Sequence, residues 1–120
     1  MDEPDEGDDP RDALDIAYQR RLSELVALRA SLDEASARCR WLEQDVADAG
    51  DDQDVSALRA RLDGGLAQVH DMTRRVETAR RRADAYRVER DRVWSLRDAG
   101  NARAAAREAL ARLADEDRRR

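Results

Sequence analysis

Phenylalanine and lysine are both absent from this 120-residue chain, aromatic residues make up only 3% of it, and it has one cysteine and one histidine. Two Trp and two Tyr are its only aromatic side chains, too little bulk to fill a broad globular core. A single Cys excludes an internal disulfide framework. One His and one Cys, His70 and Cys39, cannot supply a structural zinc set, and neither has an acid, base or nucleophile arranged around it. His70 therefore reads as an exposed histidine and Cys39 as a small buried hydrophobe. No apolar run approaches the roughly 18 residues of a membrane span, and no basic-apolar-small leader is visible, so a membrane location is not expected and a reducing, cytoplasmic compartment is. The absence of Lys and Phe reflects a GC-rich genome more readily than selection at each site. No phosphate loop, metal-ligand spacing or catalytic constellation is found, so neither enzymatic activity nor a cofactor or metal is expected.

What the chain does have is charge and periodicity. Charged residues reach 42%, and all 23 basic residues are Arg. Residues 1 to 73 hold 8 Arg against 19 acids, a net charge of −11, and residues 74 to 120 hold 15 Arg against 9 acids, a net charge of +6. Such halves attract each other when packed side by side.

Two apolar seams with a strict three-four spacing run through this charge. The first passes through Leu25, Leu28, Leu32, Ala35, Cys39, Leu42, Val46 and Ala49, and extends backward to Tyr18 and Leu14 with only Arg21 out of character. The second passes through Val55, Leu58, Leu62, Gly65, Val69, Met72, Val76, Ala79, Ala83, Tyr86 and, past Arg90, Val93. A 3.5-residue repeat sustained this long predicts helices that supercoil with a partner. The fold class is all-α: a long antiparallel two-helix coiled-coil hairpin with a short C-terminal third helix or helical extension.

The boundaries follow from capping chemistry. Residues 1 to 9, with six acids, Pro and Gly, form a disordered acidic tail. Asp9 is an N-cap with Pro10 at the first helical position, and Asp12 favours the helix dipole. Helix 1 covers 10 to 49, Gly50 ends it, residues 50 to 54 turn, and Asp54 caps helix 2 over 55 to 99. Gly100-Asn101 then marks a break before an Ala/Arg-rich C-terminal helix over 100 to 120 with a frayed end. Its apolar face is Ala102, Ala106, Ala109, Leu110 and Leu113.

Charge and side-chain size select one register. If paired residue numbers sum to 104, Val46 meets Leu58, Leu42 meets Leu62, Cys39 meets Gly65, Ala35 meets Val69 and Leu25 meets Ala79, with large residues mostly facing smaller ones. Flanking positions then pair Asp45 with Arg61, Glu43 with Arg59, Glu24 with Arg82 and Asp15 with Arg87. A parallel dimer of helix 2 would instead oppose arginines, so the antiparallel hairpin is favoured. Each helix still buries only one stripe. Burial of about 1.5 to 3 kcal/mol per large aliphatic must offset about 1.5 kcal/mol of entropy per ordered residue. A lone hairpin is marginal, and a homodimer or docking to another protein is expected.

Candidate binding residues lie off the seams. Trp41 at an outward c position, and Leu22, Leu66 and Trp94 at e positions, offer apolar surface to protein partners. The Arg-rich stretch from Arg74 to Arg92 could track phosphates, but Glu77, Asp84, Glu89 and Asp91 and the acidic first helix compete for that charge, so nucleic acid is not an expected partner. The acidic turn offers Asp48, Asp51, Asp52 and Asp54. Gly50-Asp51 followed by Asp54 resembles the tip of Gre-type transcription factors, and Asp51-x-x-Asp54-x-Ser56 resembles that of the DksA type, with Ser56 in place of an alanine. The resemblance covers some seven residues and implies an acidic hairpin tip projected into RNA polymerase. Val55, Ala57 and Leu58 stand where the Gre motif continues with Asn, Glu and Tyr, and the same stretch serves as an ordinary turn and cap. Trp41-Leu42-Glu43 lacks the glycine of the Trp-x-Gly turn found in small type VII secretion substrates. The expected function is a non-enzymatic coiled-coil scaffold or adaptor for protein-protein interaction and self-association; the alternatives are the polymerase regulator and an export chaperone or secreted helical hairpin.

Overall fold

The computed structural model describes residues 9 to 49 and 54 to 119, and every element among them is helical. Helix α1 spans Pro10–Asp48, α2 Val55–Trp94 and α3 Ala99–Arg119. Helices α1 and α2 pack against each other as a hairpin. The proposed tail, apart from Asp9, and residues 50 to 53 of the turn lie outside the described residues.

Each start is set by an aspartate. The Asp9 carboxylate accepts the Arg11 N–H at 2.9 Å and its carbonyl accepts the Ala13 N–H at 3.1 Å, so α1 begins with a satisfied cap and a proline that has no N–H to satisfy. Asp54 accepts the Ala57 N–H at 3.3 Å at the head of α2. Asp98 does the same for α3, accepting the Asn101 N–H at 2.8 Å and, through its carbonyl, the Ala102 N–H at 2.9 Å.

That third cap corrects the expected boundary. Helix α2 stops at Trp94 rather than at 99, and α3 is a separate helix that begins at Ala99, with Gly100 inside its first turn. The stop is made at Ser95, whose hydroxyl donates to the Arg92 carbonyl at 2.6 Å, while the Leu96 N–H bonds to the Val93 carbonyl at 3.1 Å. Gly100 takes no positive φ. A capping carboxylate two residues upstream starts the helix, and the glycine is merely tolerated.

The described residues fall into two compact units. One consists of residues 9 to 25 and 79 to 119, the other of 26 to 49 and 54 to 78. In the first, the opening of α1, the end of α2 and α3 form an up-down-up three-helix bundle. Its core is Leu14, Tyr86, Val93, Ala102, Ala106, Ala109 and Leu113, with Ala17, Tyr18, Ala85, Ala105 and Leu110 packed against it. The stripe expected on α3 is therefore the face that packs. Three of its four buried residues are alanines, which permits interaxial distances near the short end of about 8 to 10 Å.

The second unit is a two-helix coiled coil. Among its described residues only Ala35 and Cys39 are buried, and the remaining seam residues are half-buried, because two helices shield only one stripe each. Its register is visible at one contact. A Cβ built on Gly65 would stand 3.0 Å from Cys39 Sγ, so these two residues face each other as the sum of 104 requires. The flanking charges behave differently. Among the described residues no ion pair joins Asp45 to Arg61 or Glu43 to Arg59. In the three-helix unit Asp15 pairs with Arg90 at 3.3 Å rather than with Arg87, which turns to Asp84 and Asp91 on its own helix. Glu24 pairs with Arg21, and Arg82 is drawn instead to Asp117 of α3.

Candidate protein-interaction surface

The four apolar candidates divide between the units. Trp41 and Leu66 belong to the coiled-coil unit, where they are 75% and 44% exposed. They do not share a face: Trp41 holds a c position on α1 and Leu66 an e position on α2, and in an antiparallel pair the c and g positions line one flank and the e and b positions the other. Leu22 and Trp94 belong to the three-helix unit. Leu22 is half-buried. Trp94 is 48% exposed, and the Arg11 guanidinium covers one side of its ring at 5.0 Å from the centroid. Arg11 is itself tied to Asp9 at 2.9 Å, so the ring helps hold the start of α1. Ile16, Val26 and Val88 are also at least half exposed, at solvent-side heptad positions that the seams passed over.

Two of the acidic candidates, Asp48 and Asp54, lie at helix ends. Asp48 accepts from the Gln44 amide at 2.9 Å in the last turn of α1, and Asp54 is the α2 cap. Asp51 and Asp52 lie outside the described residues. Among the described residues no cluster of three or more His, Cys, Asp or Glu side chains could hold a metal.

Most of the Arg-rich stretch is engaged. Arg75 pairs with Asp71, Arg80 and Arg87 with Asp84, Arg82 with Asp117, Arg90 with Asp15 and Asp91, and Arg92 with Glu89. Arg112 of α3 also bonds to Glu89. Burial alone would raise the Glu89 carboxyl, but the bond from Arg92 and the charge of Arg112 outweigh it and hold the group below the ordinary glutamate value. Arg90 also lies over the Tyr18 ring at 4.6 Å. Exposed pairs of this kind contribute little stability each, yet they neutralise the stretch.

One cluster is not evident from the seams. Asp117 Oδ2 accepts from Arg21 Nη2 at 2.6 Å and from the Tyr86 hydroxyl at 2.9 Å, and Oδ1 lies 3.4 Å from Arg82 Nε. That last nitrogen is buried and the contact misses hydrogen-bond geometry, so the Arg82 interaction is electrostatic. Arg21 also lies over the Tyr86 ring at 5.3 Å. A signal for it exists on α3: Asp117 continues the stripe Ala102, Ala106, Ala109, Leu113, and Arg21 breaks the first seam at a d position, so each is the charge the other's core position needs.

Burial pushes the Tyr86 phenol above the ordinary tyrosine value; its bond to Asp117 acts in the same direction and Arg21 opposes it. A folded-state pKa raised above that of the unfolded chain gives a stability contribution that is complete below about pH 10 and is lost as pH rises through the folded value. Unfolding midpoints measured from pH 8 to 11.5 are therefore expected to fall steeply in the alkaline range, with a shallower fall for Tyr86→Phe. Equal slopes in the two proteins would show that the phenol does not titrate with folding.

No family model, curated protein or solved structure matches the chain. No described helix is long and apolar enough to cross a membrane.

Proposed function

We propose that this chain is a non-enzymatic coiled-coil scaffold or adaptor, acting in the cytoplasm, that binds proteins and self-associates through its coiled-coil unit. The observation that carries this is Trp41. It is the most exposed large apolar residue among those described, 75% open to solvent on α1. Burying a tryptophan in a partner's pocket is among the strongest single contributions to protein association. The half-buried seam around it adds apolar area that a third or fourth helix would cover. The carboxylates facing most of the Arg-rich stretch argue against nucleic acid as the partner. Asp48 and Asp54, engaged at helix ends, lend little to an acidic tip that works inside a polymerase channel.

Affinity capture with the full chain and with Trp41→Ala tests the reading. Loss of one or more captured proteins with the variant, at unchanged helicity, is the expected result. An identical set of captured proteins removes Trp41 as an anchor.

A further inference from the structure

Gly64 has no packing task among the described residues. Its φ is not positive, and a Cβ built on it meets nothing within 4 Å. Glycine in a helix interior weakens the helix relative to alanine, so its bare backbone calls for a reason. Gly65 has one, since Cys39 Sγ occupies the space its side chain would take. Gly64 points elsewhere. Because Cys39 stands level with Gly65, Trp41 stands level with Asp63, beside Gly64, and both Trp41 and Gly64 hold c positions on one flank of the coiled-coil unit. One face therefore carries a projecting ring on α1 and an open patch of backbone on α2 at a single level. The same face carries Arg38, Asp45 and Arg61 at g positions, and none of the three forms an ion pair within the described residues.

We propose that this face packs against a second copy of the chain across a two-fold axis parallel to the helices, with Trp41 of each protomer lying on Gly64 of the partner subunit. The proposal rests on Trp41 being a binding anchor and names what it binds. A two-fold contact requires a surface complementary to itself, and this one is. In that arrangement α1 of one protomer runs antiparallel against α2 of the other at matching levels. The ring meets the bare backbone, and Asp45 comes within a turn of Arg61 of the partner subunit. Glu34 comes level with Asp71 of the partner subunit, whose charge is already compensated by Arg75 at 3.1 Å. Four helices then surround seams that two leave half exposed.

Sedimentation equilibrium of the full chain over a wide concentration range tests this, with Trp41→Ala, Gly64→Gln and Gly64→Ala as variants. The wild type is expected to dimerise, and Trp41→Ala and Gly64→Gln each to raise the dissociation constant about thirtyfold or more, the weight of an interface anchor. Gly64→Ala separates the interface from the fold: at concentrations where the chain is monomeric it should raise the melting temperature, because the added methyl has room and favours helix, while weakening the dimer. A wild type that stays monomeric, or a dimer whose dissociation constant is unchanged in both Trp41→Ala and Gly64→Gln, overturns the proposal. A monomer that still loses a captured protein on Trp41→Ala overturns the second copy alone and leaves the anchor in place.

Discussion

Replacing Leu14 with alanine is expected to destabilise the three-helix unit by about 2 to 5 kcal/mol, the range for removing a fully buried leucine and leaving a cavity. Leu14 has no exposed surface at all and, with Val93, is one of the two largest side chains fully enclosed. Its neighbours cannot collapse to fill the gap, because the facing helix α3 presents alanines, which have no atoms to extend. Urea unfolding followed by circular dichroism measures the effect, and Ile16→Ala is the control. Ile16 is half exposed two residues away, so its truncation should fall within about 0.5 kcal/mol of the wild type. A loss below about 1 kcal/mol for Leu14→Ala would mean that the unit is not held by this core.

Leu14 is legible in the amino-acid pattern alone, because the first seam extrapolates to it at three-four spacing. The same logic reaches the cap at Asp9, the apolar face of α3 and the register in which Cys39 faces Gly65. These are local or periodic signals, and each is repeated along the chain. The break after Trp94 is hidden because Gly100 is a conspicuous helix stop by residue type, while the stop itself is a serine hydroxyl and the restart an aspartate. Either residue type also occurs harmlessly within helices. One flanking ion pair differs from expectation for another reason: a two-helix pattern has no place for α3, whose Asp117 draws Arg82 away from Glu24. Of the candidate surface, the exposure of Trp41 follows from its c position. The partial covering of Trp94 does not, since it needs the Arg11 side chain to fold back over the ring.

Asp117→Ala should cost about 1.5 to 3 kcal/mol, the range for hydrogen bonds to charged groups. The side chain is only 16% exposed and serves three partners from two other helices, so its removal strands the Arg21 guanidinium, the Tyr86 hydroxyl and the buried Arg82 Nε together. The loss should be concentrated in the last turns of α3, where amide hydrogen exchange would accelerate while the amides of Ala102 and Ala106 remain protected. Glu116→Ala, which removes an exposed carboxylate one residue away, should leave stability within about 0.5 kcal/mol. Equal effects of the two substitutions would reduce Asp117 to a surface charge. Asp117→Asn is the finer probe, because it keeps the shape and one acceptor oxygen while removing the charge and the second acceptor.

The three-helix unit is assembled from stretches at opposite ends of the sequence, residues 10 to 25 and 79 to 119, and this has a kinetic consequence. The bond from Arg21 to Asp117 spans 96 residues, and closing so long a loop from an open chain is entropically expensive. The intervening coiled-coil unit needs no such search: its helices meet across a short turn and can zip from there, each layer bringing the next into reach. Once it has closed, Leu14 and Val93 are tethered by a short effective loop rather than by the contour between them. The half-buried seam, weak as a source of stability, is thus expected to act as the nucleus from which the better-packed unit forms, and substitutions along it should lower the folding rate in stopped-flow refolding while leaving the unfolding rate nearly unchanged.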